Sequence, residues 1–135
     1  MNQQIMLILT AIMMKISISG ACLSESNPIS SECIPKHNEA DYCLRKVTTL
    51  MDNAERYVNE GRIDRANSNI KEYDQIDCKE DITSWERCCV KNGGNGCTNV
   101  ELSNLHSRIF TVNKLREAYN EKARKHNEEN KLRKF

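Results

Sequence analysis

Seven cysteines, at positions 22, 33, 43, 78, 88, 89 and 97, follow an apolar N-terminal stretch in a chain of 135 residues. Cysteines at that density behind such a stretch belong to compartments where thiols are oxidised in pairs, so covalent staples are expected to share the work of a modest core. Residues 5–14, IMLILTAIMM, form an apolar run of ten, half of the ~20 that a helix needs to cross ~30 Å of hydrocarbon. Ser19 and Ala21 supply small residues at the third and first positions before a cut. Residues 1–21 therefore read as a secretory signal, with cleavage expected before Cys22 and no transmembrane segment left afterwards. The expected location is extracellular.

Removing 1–21 takes away Lys15 and no acid, leaving 19 Lys and Arg against 19 Asp and Glu and a formal net charge of zero. Neutrality argues against a nucleic-acid or polyanion binder. The remaining length suits one domain. With only two Pro and five Gly in the whole chain, and abundant Glu, Lys, Arg, Asn and Leu, helices are favoured over a turn-rich β fold.

Apolar periodicity places the helices. Ala40, Cys43, Leu44, Val47, Leu50, Met51, Ala54, Tyr57 and Val58 recur at steps of three and four, predicting a helix over about 38–60 with Asn38 as N-cap. Gly61 supplies the left-handed residue that ends it. Ile63, Ala66, Ile70 and Tyr73 mark a second helix over about 63–76, and so short a connection makes the two antiparallel neighbours. A shorter third helix is expected at about 80–91, with Ile82 and Trp85 inward. A fourth starts at Thr98, where Thr98-Asn99-Val100-Glu101 matches a capping box. Leu102, Leu105, Ile109, Val112, Arg116, Tyr119 and Ala123 then give it a heptad-like seam. The expected fold is all-α: a small disulfide-stapled helical bundle built on an antiparallel helical hairpin, plus a short third and a long C-terminal helix. The chain divides into the signal (1–21), a polar N-terminal arm (22–37), the stapled helical domain (38–120) and a charged C-terminal tail (121–135).

The hairpin predicts a disulfide. Cys43 lies 18 residues before Gly61 and Cys78 lies 17 after it, so at 1.5 Å per residue both sit roughly 25–27 Å from the turn and side by side. Nine residues separate Cys33 from Cys43 and nine separate Cys78 from Cys88, which nests Cys33–Cys88 outside Cys43–Cys78. This spacing is similar to the twin C-x9-C arrangement of coiled-coil-helix-coiled-coil-helix proteins, which implies the same nesting. Cys88 and Cys89 point ~100° apart on a helix and seek different partners. Cys89–Cys97, closing the NGGNG loop, is the expected third pair. Cys22 is the odd cysteine, available as a free thiol, a capped one, or a bond to a second chain.

Catalytic motifs are absent from the sequence: there is no H-E-x-x-H, G-x-S-x-G or G-x-x-x-x-G-K-[ST]. His37, His106 and His126 are far apart. Zinc on Cys88, Cys89, Cys97 and His106 is the sharpest cofactor idea, and it is disfavoured because the C-x2–4-C spacing is missing and exported thiols oxidise. No enzyme activity and no cofactor are expected. The tail EKARKHNEENKLRKF, with six Lys or Arg and three acids, is expected to continue as a frayed or projecting polar helix, either simply solvated or a contact for an acidic partner or membrane surface.

Two function classes remain. The first is a secreted interaction protein, a salivary, venom or effector-type component or an extracellular regulator, binding an extracellular or host protein through its helical surface. The second is a carrier of small apolar ligands. The spacing Cys78-x9-Cys88-x8-Cys97 resembles the latter half of the insect odorant-binding pattern, which implies a stapled helical shell around a ligand cavity. That family has three residues between its second and third cysteines, where nine separate Cys33 and Cys43 here. The interaction reading ranks first.

Overall fold

A computed structural model describes residues 4–12, 30–92 and 99–133. Four helices account for the regular structure of those residues: α1 (Ile34–Asn59), α2 (Ile63–Asp74), α3 (Cys78–Lys91) and α4 (Asn99–Arg133). The molecule is a disulfide-stapled helical bundle, as the periodicity predicts.

The helix ends depart from expectation where local chemistry overrides periodicity. The first helix begins at Ile34 rather than 38, so Asn38 lies inside it and is not its cap. Pro35 sits in its first turn, where a missing N–H has no intrahelical bond to lose and the fixed φ suits the helix. The carbonyl of Ser30 accepts the N–H groups of Cys33 and Ile34 at 2.8 and 3.2 Å and turns the chain into the helix. The start of α3 moves to Cys78 because Asp77 caps it, its carboxylate accepting from the Lys79 N–H at 3.0 Å. Thr98, the first residue of the predicted capping box, lies outside the described residues.

Between α1 and α2 the turn is a Schellman motif. Arg62 donates its N–H to the Tyr57 carbonyl at 2.8 Å and Gly61 donates to Val58 at 3.0 Å. Gly61 takes φ +74°, the left-handed conformation this motif requires. No atom lies within 4 Å of where a Cβ would stand, so glycine is needed there for its backbone and not for space.

The chain forms two compact units. One consists of the N-terminal segment through Ala11, Lys46–Ile76 and α4 from Val112. Val47, Leu50, Met51 and Ala54 of α1, Ile63, Ala66, Ile70 and Tyr73 of α2, and Val112, Tyr119 and Ala123 of α4 are among its buried side chains, each set following the three-four step of a helix face. Lys122 bonds Glu55 at 2.7 Å and tethers α4 to α1. The helix continues past its apolar seam to Arg133, in line with the expected projecting helix, and Asn130 near its end is buried. Buried asparagine continues the face that aliphatic residues begin, which is why hydropathy alone loses track of it.

The other unit consists of Ile12–Arg45 and Asp77–Thr111 and holds the disulfides. Cys33–Cys88 and Cys43–Cys78 tie the beginning of α1 to α3, with Cα atoms 5.8 and 5.7 Å apart. Trp85, 1 % exposed, is its largest fully buried side chain and lies in a core with Ala40, Leu44, Ile82, Leu105 and Ile109. Cys89 is disulfide-bonded as well. Its expected partner Cys97, and Cys22, lie outside the described residues.

Candidate functional site

The apolar N-terminal run, read from sequence as a leader, has a defined seat in the first unit. Residues 4–12 form no helix or strand, so their main-chain N–H and C=O groups need partners from elsewhere. Three asparagines supply them. Asn127 accepts from the Ile5 N–H at 2.7 Å and donates to the Ile5 carbonyl at 3.0 Å. Asn120 does the same for Ile8, at 2.8 Å in both directions. Asn67 of α2 accepts from the Met6 N–H at 2.8 Å and donates to the Gln4 carbonyl at 3.1 Å. The Tyr73 hydroxyl donates to the Thr10 carbonyl at 3.4 Å.

A primary amide suits this work because it presents one acceptor and a pair of donors side by side, complementary to the N–H and C=O of a peptide unit. The spacing of the contacts defines the path of the segment. Asn120 and Asn127 are seven residues apart, about 10.5 Å along a helix, and they hold residues three apart, whose chain reaches at most ~10–11 Å. The segment between Ile5 and Ile8 is therefore close to full extension. It runs antiparallel to α4, since Ile5 meets the later asparagine, and parallel to α2, since Met6 meets Asn67 and Thr10 meets Tyr73.

Side chains of the segment divide sharply by position. Ile5 and Ile8 are 2 % and 0 % exposed, whereas Met6 and Leu9 are 42 % and 82 % exposed. Each buried isoleucine contributes about 1.5–3 kcal/mol from burial, and each hydrogen bond about 1 kcal/mol net. Asn120 is itself 5 % exposed, so its amide depends on these bonds for satisfaction. Burial pushes the Tyr119 phenol well up, and its hydroxyl has no hydrogen-bond partner among the described residues. Burial also pushes Tyr73 up, against the opposing charge of Arg116.

The disulfide unit carries a second concavity, a cleft of about 370 Å³. His37 Nε2 meets a Glu101 carboxylate oxygen at 2.8 Å, and the His37 ring stands edge-on to Trp85 with centroids 5.1 Å apart. Arg108 donates to the Asp41 carboxylate and to the Asp41 carbonyl, the latter at 3.0 Å. Asp41 also takes Arg45 at 2.9 Å. The charged side chains lining this cleft are thus engaged with one another. A wall of paired charges favours neither an apolar ligand nor an idle base beside a nucleophile.

The histidines named from sequence stay separate in role. His37 lines the cleft of the disulfide unit, His106 has a buried Nε2 without a hydrogen-bond partner among the described residues and a pKa lowered by burial, and His126 bonds Asn130 at 2.9 Å. No free thiol stands among the described residues, so none is available there to pair with His106 as a nucleophile. Cys88, one of the four ligands weighed for zinc, is oxidised to Cys33. No group of three or more His, Cys, Asp or Glu arranged to hold a metal occurs among the described residues. None of the described helices is long and apolar enough to cross a membrane.

Sequence reasoning missed the three asparagines. A signal existed in Asn113, Asn120 and Asn127, which recur at intervals of seven and share one face of α4. Comparisons with protein-family models, with curated proteins and with solved structures find no match to this chain.

Proposed function

We propose that the protein is a secreted, non-enzymatic interaction protein that works by holding polypeptide on its helical surface. The observation that supports this reading is the set of asparagine amides of α2 and α4 engaged with main-chain N–H and C=O groups of a non-helical segment. Recognition of main chain needs donors and acceptors in register and no catalytic group. Disulfides within the chain fit the oxidising exterior that the apolar leader and cysteine count point to.

The carrier reading has less support. The cleft beside Trp85 is lined by paired charges. Native mass spectrometry of protein purified without denaturant reads the N-terminus, the bridges and any bound species together. A chain beginning near Cys22 with a peptide or protein adduct is expected. A stoichiometric adduct of small apolar molecule mass would replace this reading with the carrier.

A further inference from the structure

The seat between α2 and α4 is defined by what its polar atoms bind. Of the hydrogen bonds described for residues 4–10, six join an asparagine amide to a main-chain group and one joins a tyrosine hydroxyl to a carbonyl. None reads the identity of a side chain. Discrimination comes from the two buried positions, which take Ile5 and Ile8, while Met6 and Leu9 face outward. On the export reading proposed above, on which this inference rests, cleavage before Cys22 removes the segment that fills the seat.

We infer that the secreted protein docks an extended peptide segment of a partner protein there, with aliphatic side chains three residues apart, and that residues 4–12 hold the site in the uncleaved chain. A lipid or other small apolar molecule fits the seat poorly. It has no N–H to give the carbonyl oxygens of Asn67, Asn120 and Asn127, and a buried acceptor left unpaired weakens binding. The contacts also define the partner. Its residues at the places of Ile5, Met6 and Ile8 each donate an N–H, so none of them is proline. Its residues at the places of Met6 and Leu9 are unrestricted in side-chain polarity, because those positions are exposed. The docked segment runs antiparallel to α4, as Ile5 to Ile8 does.

The test expresses the full 135-residue sequence in a eukaryotic secretory host, assigns the N-terminus of the exported protein by intact mass, and titrates it with a fluorescein-labelled peptide of residues 4–12. The peptide carries Met6→Lys and Leu9→Lys for solubility, both at outward positions. One-to-one saturable binding is expected. Methylating the amide nitrogens at the Ile5 and Ile8 positions should weaken it about tenfold each, the scale of one lost hydrogen bond with its partner left buried. Ile5→Asp with Ile8→Asp should abolish it. In the protein, Asn67→Ala and Asn127→Ala, at partly exposed sites, should each weaken binding by a similar factor with the circular dichroism melt unchanged. A chain beginning near Cys22 that does not bind the peptide overturns the docking inference and leaves export standing. Retention of Met1 on the exported protein overturns the cleavage reading and the inference with it. Equal binding of the methylated peptides, or displacement of the peptide by a fatty acid, overturns it in favour of unspecific apolar capture.

Discussion

Removing the two nested disulfides, singly and together, tests the architecture most directly. In the chain-entropy treatment a bridge closing n residues removes roughly 2.1 + 1.5R ln n cal/mol/K from the unfolded state. Cys43–Cys78 spans a separation of 35 and Cys33–Cys88 one of 55. Taken alone at 25 °C they are worth about 3.8 and about 4.2 kcal/mol. Nesting changes the arithmetic: once the inner bridge is shut, the outer one closes only the difference, 20 residues, worth about 3.3 kcal/mol. Both bridges together then contribute about 7.1 kcal/mol, and removing the inner one from the doubly bridged chain costs the remainder, about 2.9 kcal/mol. Cys43→Ala with Cys78→Ala should therefore cost about 2.9 kcal/mol and Cys33→Ala with Cys88→Ala about 3.3 kcal/mol, each about 0.9 kcal/mol less than its loop is worth alone. The quadruple variant should lose about 7 kcal/mol, which falls within the whole stability of a typical domain and should leave it largely unfolded. Urea denaturation under non-reducing conditions measures all three. A loss below about 1 kcal/mol for either pair would mean that the unfolded chain is already constrained there. Single-pair losses that add up to the loss of the quadruple variant would refute the nesting, which makes them sum to about 1 kcal/mol less.

Tyr119→Phe removes a buried hydroxyl that has no hydrogen-bond partner among the described residues and should stabilise the fold by about 1 kcal/mol; a loss of that size in chemical denaturation would reveal a bond the hydroxyl does make. Asp81 has its pKa raised, first by burial and then by Glu39, Glu80 and Asp77. A folded pKa above the unfolded value near 3.9 means that the unfolded chain releases this proton first, so the stability tied to the protonated group is full below about pH 3.9 and is lost as pH rises through the folded value. Asp81→Asn should accordingly gain on the parent between about pH 4 and neutrality, and melts showing a constant difference from pH 3 to 7 would contradict this. Truncation after Asn120 removes buried Ala123 and the Lys122–Glu55 pair. It should lower the stability of the exported chain by at least about 1 kcal/mol, and an unchanged urea midpoint would restore the view of 121–135 as a solvated tail.

What the sequence by itself determined follows from interactions short along the chain. Three-four periodicity marks the faces of all four helices, Gly61 ends α1 because a left-handed residue there costs glycine least, and equal distances from that turn bring Cys43 to Cys78. The helix ends at Pro35 and Asp77 are equally local, and both residues carry the signal in their own chemistry. The seat between α2 and α4 is a different matter. Ile5 meets Asn127 across 122 positions and Ile8 meets Asn120 across 112, and no periodicity within either segment encodes that meeting. An apolar run of ten reads as a leader from its composition, and an asparagine on a charged helix reads as solvated. Only packing α2 beside α4 turns those amides into a ladder of donors and acceptors at the rise of an extended chain, because hydrogen bonding to main chain depends on where the partners stand and not on what lies next to them in sequence.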